Sequence, residues 1–152
     1  MKNQYTITFE KEKMSRAHGV FPCSTRQSME IASNIRGKNL ERAKTILKEA
    51  IEMKNPIKYT KMNAPHKPGI GPGKYPVKAC KFFEKLLRNA EANAHFQGLN
   101  VDELIIKTIV CNRASAPSRY GRIPGRSSKR TSVWLVLSAK EKMDSKNDQK
   151  KQ

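Results

Sequence analysis

The chain reads LIIKTIVC from Leu104 to Cys111, then NRASAPSRYGRIPGRSSKR from Asn112 to Arg130, then TSVWLVLS from Thr131 to Ser138. The two flanking runs are rich in β-branched residues and short, so each predicts a strand, and they pair most economically as an antiparallel hairpin. The nineteen residues between them carry six cations (Arg113, Arg119, Arg122, Arg126, Lys129 and Arg130), two prolines and almost nothing apolar. Hairpin loops usually hold about two to five residues, so a connection of this length is either without structure or shaped by a partner. Its like charges repel, which predicts that the free chain does not collapse it. A phosphate surface would order it by pairing each guanidinium, often bidentately. The small residues Ala114, Ser115, Ala116, Ser118, Gly121 and Gly125 let the backbone approach such a surface. Fully extended limbs of about eight residues would project roughly 26 Å at ~3.3 Å per residue.

Upstream, the period changes from two to that of a helix. Ser24-Thr25-Arg26-Gln27 has the form of a capping box, Met29, Ala32 and Ile35 follow at helical spacing, and Gly37 closes the segment. Asn39 opens a second helix with Leu40, Ala43, Leu47, Ala50 and Ile51 on one face, ending near Asn55-Pro56. A third starts around Pro76, carries Ala79, Phe83, Leu86, Leu87, Ala90 and Ala94 as its apolar stripe, and ends at Gly98. Either Tyr5-Ile7-Phe9 or Gly19-Val20-Phe21 could add a further strand. The predicted class is α+β: a small antiparallel sheet packed on about three helices, with a long extended basic β-hairpin. The expected division is an N-terminal extension at 1–16, a helical part at 17–103, the β-hairpin at 104–138 with its basic tip at about 112–130, and a polar, frayed tail at 139–152.

With 152 residues, 31 Lys+Arg and 13 Asp+Glu, the formal net charge is +18, and hydrophobic residues make up 37%, so only a modest core is available. The acids are confined to Glu10–Glu52, Glu84–Glu103 and the tail from Glu141. Met53–Phe83 and Leu104–Lys140 hold none. The first gap carries Lys54, Lys58, Lys61, Lys67, Lys74, Lys78 and Lys81. A general solvated surface mixes both signs, so two long acid-free stretches point to faces held against phosphate. No run reaches the ~18 apolar residues of a membrane span, and MKNQYTITFEKEK has no apolar signal region, so neither insertion nor secretion is expected.

Catalytic and cofactor readings were tested against the same residues. Gly73-Lys74 is followed by Tyr75 rather than Ser or Thr, and Pro68 stands where the first glycine of a nucleotide-binding loop belongs. Asn63–Lys78, with four prolines, three glycines and Lys67, Lys74 and Lys78, reads better as a basic segment laid on RNA backbone. Cys23, Cys80 and Cys111 form no CxxC pair, which disfavours a disulfide framework and a zinc knuckle. His18, His66 and His95 lie far apart. No enzyme, no metal and no cofactor is expected.

Three pieces of sequence then resemble one family. Ile35-Arg36-Gly37-Lys38-Asn39-Leu40-Glu41-Arg42-Ala43, Leu87-Arg88-Asn89-Ala90-Glu91-Ala92-Asn93-Ala94, and Gly121-Arg122 followed by Lys129-Arg130-Thr131-Ser132 are similar, in order, to signatures of the universal large-subunit ribosomal protein twenty-two, seventeen in the eukaryotic scheme. The likeness runs from about Ala17 to Lys140. Gly69–Ala79 resembles the archaeal and eukaryotic form, and the long aromatic insertion of eukaryotic members is missing, which points to the archaeal type.

The resemblance implies a cytoplasmic, non-enzymatic constituent of the large ribosomal subunit. Such a protein binds rRNA, supports assembly, touches neighbouring ribosomal proteins, and lines the nascent-peptide exit tunnel with its hairpin. No homo-oligomer is expected. Carried over, RNA contact is expected at Arg26, Arg36, Lys38, Lys74, Lys78, Arg113, Arg119, Arg122, Arg126, Lys129 and Arg130, to which the basic segment Asn63–Lys78 adds Lys67, and tunnel lining at Arg119, Tyr120, Gly121 and Arg122. The limb before Gly121 is a few residues shorter than in the family, and Tyr120 stands in place of its Arg-Ala step. The rival reading from composition alone is a free-standing protein that compacts DNA or RNA, although no predicted helix is uniformly basic along one face.

Overall fold

The computed structural model describes residues 13–122 and 125–139. The strand expected around Tyr5-Ile7-Phe9, and the tail from Lys140 onward, lie outside the described residues.

The two strand-forming runs pair as expected. β5 (Leu104–Arg113) and β6 (Thr131–Ala139) are antiparallel from Leu104 opposite Ala139 to Arg113 opposite Thr131, with a register shift at Lys107. Alternation places Val133, Leu135 and Leu137 of β6, and Leu104, Ile106 and Ile109 of β5, on the buried face. The third strand, β1 (Met14–Phe21), pairs with the other edge of β6, so the sheet order is β1-β6-β5.

β1 contains Gly19-Val20-Phe21 but starts at Met14, so it crosses the boundary expected at residue 16. Its MSRA start hid it, because the inward side chains are small. Ser15 is buried and donates its hydroxyl to the Ala90 carbonyl of the facing helix at 2.9 Å, and Ala17 packs beside it. A helix approaches so closely only where the strand offers little bulk.

The three helices lie on the buried face: α1 (Thr25–Ile35), α2 (Leu40–Ile51) and α3 (Val77–Phe96). α3 packs on β1 and α1 on β5, while α2 rests against α3. All six residues of the predicted α3 stripe are buried, joined by Cys80. Desolvation pushes the Cys80 and Cys111 thiols up to about 12, which keeps them protonated and unreactive near neutral pH.

Two helix details differ from expectation. Ser24 sits at the N-cap of α1 but its side chain makes no cap bond; instead the Ser28 hydroxyl donates to the Ser24 carbonyl at 3.0 Å. Met29, expected in the core stripe, is 45% exposed, because α1 is rotated to bury Ser28, Ile31, Ala32 and Ile35. Gly37 closes α1 at φ +73°, and this left-handed turn aims its N–H at the Ile106 carbonyl, 2.9 Å away. The segment Gly37–Asn39 thereby covers the start of the β5 edge, with Ile106 N–H donating back to Lys38.

The region read as an extended basic segment contains a second, miniature sheet. β4 (Gly71–Lys74) lies between β2 (Ile57–Lys58) and β3 (His66–Lys67). Gly73 suits that close approach, since a Cβ would lie a tight 3.3 Å from both the Ile57 carbonyl oxygen and the Pro56 ring. The part of the globular domain expected to be helical, 17–103, thus also holds most of β1 and this small sheet. Tyr59, 1% exposed, pins the small sheet to the core; burial, with Cys80 and Glu30 nearby, raises its hydroxyl to about 12. That hydroxyl has no hydrogen-bond partner among the described residues. Tyr59→Phe removes an unsatisfied polar atom without changing shape, so it should raise stability by about 1 kcal/mol in thermal unfolding.

Candidate nucleic-acid interface

Thr131, fully buried at the foot of β6, is the joint of the interface. Its hydroxyl donates to the Cys23 carbonyl at 3.0 Å and lies 3.0 Å from the Thr25 hydroxyl. These contacts hold the N-terminus of α1 against the base of the hairpin. Arg26 is thus brought beside Arg113, Lys129 and Arg130, which lie far from it in sequence, around a groove of about 370 Å³. A second groove of about 320 Å³ adjoins it, sharing Ser24, Ser127 and Lys129, and adds Lys78 at the start of α3 and Arg119. Among the described residues, no carboxylate lines either groove.

Both grooves meet helix starts, where the macrodipole is positive and first-turn N–H groups carry no side-chain cap. Among the described residues, none of the six groove cations forms an ion pair. The pairs that occur lie elsewhere: Lys44 with Glu91, Lys54 with Glu52, and Arg88 with Glu84. Glu52, Glu84 and Glu91 therefore neutralise their own neighbours and leave the groove cations uncompensated.

The hairpin connection was expected to have no pairing of its own, and here the structure corrects the reading. Ala114 N–H donates to Arg130, Ser128 N–H to Pro117 and Arg119 N–H to Arg126, at 3.1, 2.8 and 2.7 Å, and Ser118 bridges Ser127. Peptide groups can pair across two limbs while the cationic side chains diverge into solvent, so repulsion does not forbid a ladder. The limbs also lean over the starts of α1 and α3, since Arg119 and Ser127–Lys129 line the second groove with Pro22–Ser24. Tyr120, Gly121 and Arg122 sit beyond the last pair and are exposed, Tyr120 fully, at 103%. Arg126 closes the last pair through its carbonyl.

The remaining expected contacts stand apart from these grooves. Lys38 is exposed beside the start of β5. Lys67 and Lys74 belong to the small sheet, where Lys67 lies 5.7 Å from the Tyr75 ring centroid. Arg36 donates to the Ile109 carbonyl at 2.8 Å and shares a third groove with Lys61. Lys61 and Thr131 were not singled out as site residues. Lys61 lies within the first acid-free stretch, whereas Thr131 stands only in the Lys129–Ser132 signature and at the start of a predicted strand, with nothing to mark what its hydroxyl joins. His18 stacks on Trp134 with centroids 3.8 Å apart and is held below its ordinary pKa by burial. No group of three His, Cys, Asp or Glu able to hold a metal ion gathers among the described residues. None of their helices is long and apolar enough to cross a membrane.

This fold and these grooves define a class: a basic α+β module that gathers uncompensated cations from distant segments into adjoining grooves. Residues 17–134 match the family Ribosomal protein L22p/L17e. The chain is 44% identical over 106 residues to the large ribosomal subunit protein uL22 of Thermoplasma acidophilum, covering 65% of this chain and 70% of the relative. It is 36% identical over 138 residues to uL22 of Archaeoglobus fulgidus (84% and 89% covered) and 37% identical over 125 residues to that of Methanocaldococcus jannaschii (78% and 80%). The chain belongs to the ribosomal protein L22p/L17e family, in its archaeal type.

Proposed function

We propose that the protein is a structural constituent of the cytoplasmic large ribosomal subunit, where it holds rRNA in place and lines the peptide exit tunnel without catalysing a reaction. The observation that carries this reading is the convergence of Arg26, Lys78, Arg113, Arg119, Lys129 and Arg130, from three sequence segments, on two adjoining grooves free of acid. Each phosphate neutralised there releases condensed counterion, which supplies affinity without reading sequence. Folded RNA is recognised chiefly by shape and backbone, and grooves framed by fixed cations meet that requirement.

Arg36, Lys38, Lys67 and Lys74 extend the contact over other faces, as a protein embedded among rRNA helices and neighbouring ribosomal proteins requires. Arg119, Tyr120, Gly121 and Arg122 form the hairpin end that faces the nascent polypeptide. The test uses the full chain with a photoreactive amino acid at Tyr120, expressed in cells. The expected result is salt-resistant co-sedimentation with the large subunit and light-dependent linkage to nascent chains. Travel with chromosomal DNA would favour nucleic-acid compaction instead, and linkage to rRNA alone would remove the tip from the tunnel.

A further inference from the structure

The longest stretch of the chain without Lys or Arg runs from Asn89 to Ile106 (NAEANAHFQGLNVDELII), eighteen residues, and no other exceeds nine. It forms the last two turns of α3 and the single-turn 3₁₀ helix Val101–Glu103 that packs on it. At about 1.5 Å per residue, Phe96 lies roughly 27 Å along α3 from Lys78, which lines the second groove. That distance is several times the ~8 Å Debye length at physiological salt, so the field of the groove cations does not reach it. The helix end is closed without Phe96. Gly98, at φ +73°, donates to the His95 carbonyl and Leu99 N–H to the Ala94 carbonyl, both at 3.0 Å, and Leu99 packs against the core. Phe96 is left 92% exposed, with Ala92 exposed one turn before it. Phe is a weaker helix former than Ala, Leu or Gln, so propensity does not account for it. The acids follow the same division. Glu52, Glu84 and Glu91 are in ion pairs, Glu30 holds the Thr60 and Lys61 N–H groups, and Glu49 accepts from Asn55. Glu41 stands in the first turn of α2, where the macrodipole receives it. Asp102 and Glu103, both exposed, have no ion pair or side-chain hydrogen bond among the described residues.

We propose that the C-terminal end of α3 docks a cationic segment of a neighbouring protein, with Phe96 as the apolar anchor and Asp102 and Glu103 pairing the segment's Lys or Arg side chains. RNA is the wrong partner for this end. Two uncompensated carboxylates and the negative pole of α3 repel phosphate, and no Lys or Arg of the stretch offsets them. A protein settled on the same RNA must itself be cationic, for the reason that this chain is, and an aromatic flanked by carboxylates is complementary to it. Aromatic side chains are the usual anchors of protein interfaces, and opposed charge at the rim fixes their register. The inference rests on the ribosomal reading above and adds to it the surface by which protein, rather than RNA, is met.

The experiment places a photoreactive phenylalanine analogue at position 96 of the full chain, expressed in cells. Large subunits are then isolated and irradiated, and the linked residue is mapped by mass spectrometry. The expected result is linkage to one protein segment rich in Lys or Arg around the linked residue. Asp102→Asn combined with Glu103→Gln should cut the yield about tenfold while co-sedimentation with the subunit stays unchanged. Linkage to rRNA would overturn the proposal, as would linkage to a segment without cations, no protein product, or a yield indifferent to both carboxylates. A chain that does not travel with the subunit at all would defeat the ribosomal reading instead, which separates the two failures.

Discussion

Replacing Arg26, Arg113, Lys129 and Arg130 together by Gln should lower the slope of log affinity against log salt by about 3, taking roughly 0.7–0.9 per phosphate contact. Extrapolated from a common value at 1 M salt, that slope change is a loss of about a thousandfold at 0.1 M. The four side chains surround one groove, all are exposed, and none is in an ion pair among the described residues. Their removal therefore relieves repulsion, and the unfolding midpoint should rise slightly rather than fall. A matched control removes the same charge from outside the grooves: Lys48, Lys54, Lys81 and Lys85 to Gln, all on α2, α3 or the turn after α2. Filter binding of both variants to large-subunit rRNA across a salt series decides the matter. Equal slopes would mean that charge in general, not this groove, carries the affinity.

That comparison is possible because the cations could be assigned to grooves, which the sequence alone did not allow. The acid-free stretches were legible, and they contain five of the six groove cations. Arg26 lies outside them and joined the set only through the resemblance and, in space, through Thr131. A short hydroxyl contact between segments more than a hundred positions apart leaves no local trace. The helical stripes were legible because burial repeats every three to four residues, as in Ala79, Phe83, Leu86, Leu87, Ala90 and Ala94. Met29 misled because two faces of α1 carry apolar residues, and only packing shows which one serves the core.

The strands divide along the same line. β5 and β6 announce themselves because β-branched residues alternate against a helical layer. β1 does not, since Ser15 and Ala17 were placed there for closeness to α3 rather than for bulk. The miniature sheet β2-β4-β3 is built from GPGK, IK and HK, where backbone pairing supplies the order and no apolar period exists to read. Backbone pairing also explains the hairpin connection. Side-chain charge predicted separation of the limbs, but peptide hydrogen bonds span them regardless of what the side chains repel.

Salt should act on the fold and on RNA binding with opposite signs, and Phe83→Ala makes this visible. Phe83 is 1% exposed in the middle of α3, within the cluster shared by the helices and the main sheet. Truncating it should cost about 3–5 kcal/mol, a large part of the ~5–15 kcal/mol that a domain possesses. The same domain carries a net +18, whose self-repulsion weakens the compact state most when screening is poor. The Debye length shortens from about 10 Å at 0.1 M salt to about 3 Å at 1 M, so added sodium chloride relieves that repulsion. Phe83→Ala should accordingly be largely unfolded at low salt by circular dichroism and regain helix as salt rises, while the wild type gains only a few degrees in its midpoint. RNA affinity of the wild type falls over the same range, because its cations then compete with sodium for phosphate. A variant whose folding ignores salt would show that the charges are too far apart to repel. The uncompensated grooves would then cost the isolated protein nothing, and the absence of carboxylates from Met53–Phe83 and Leu104–Lys140 would need another cause.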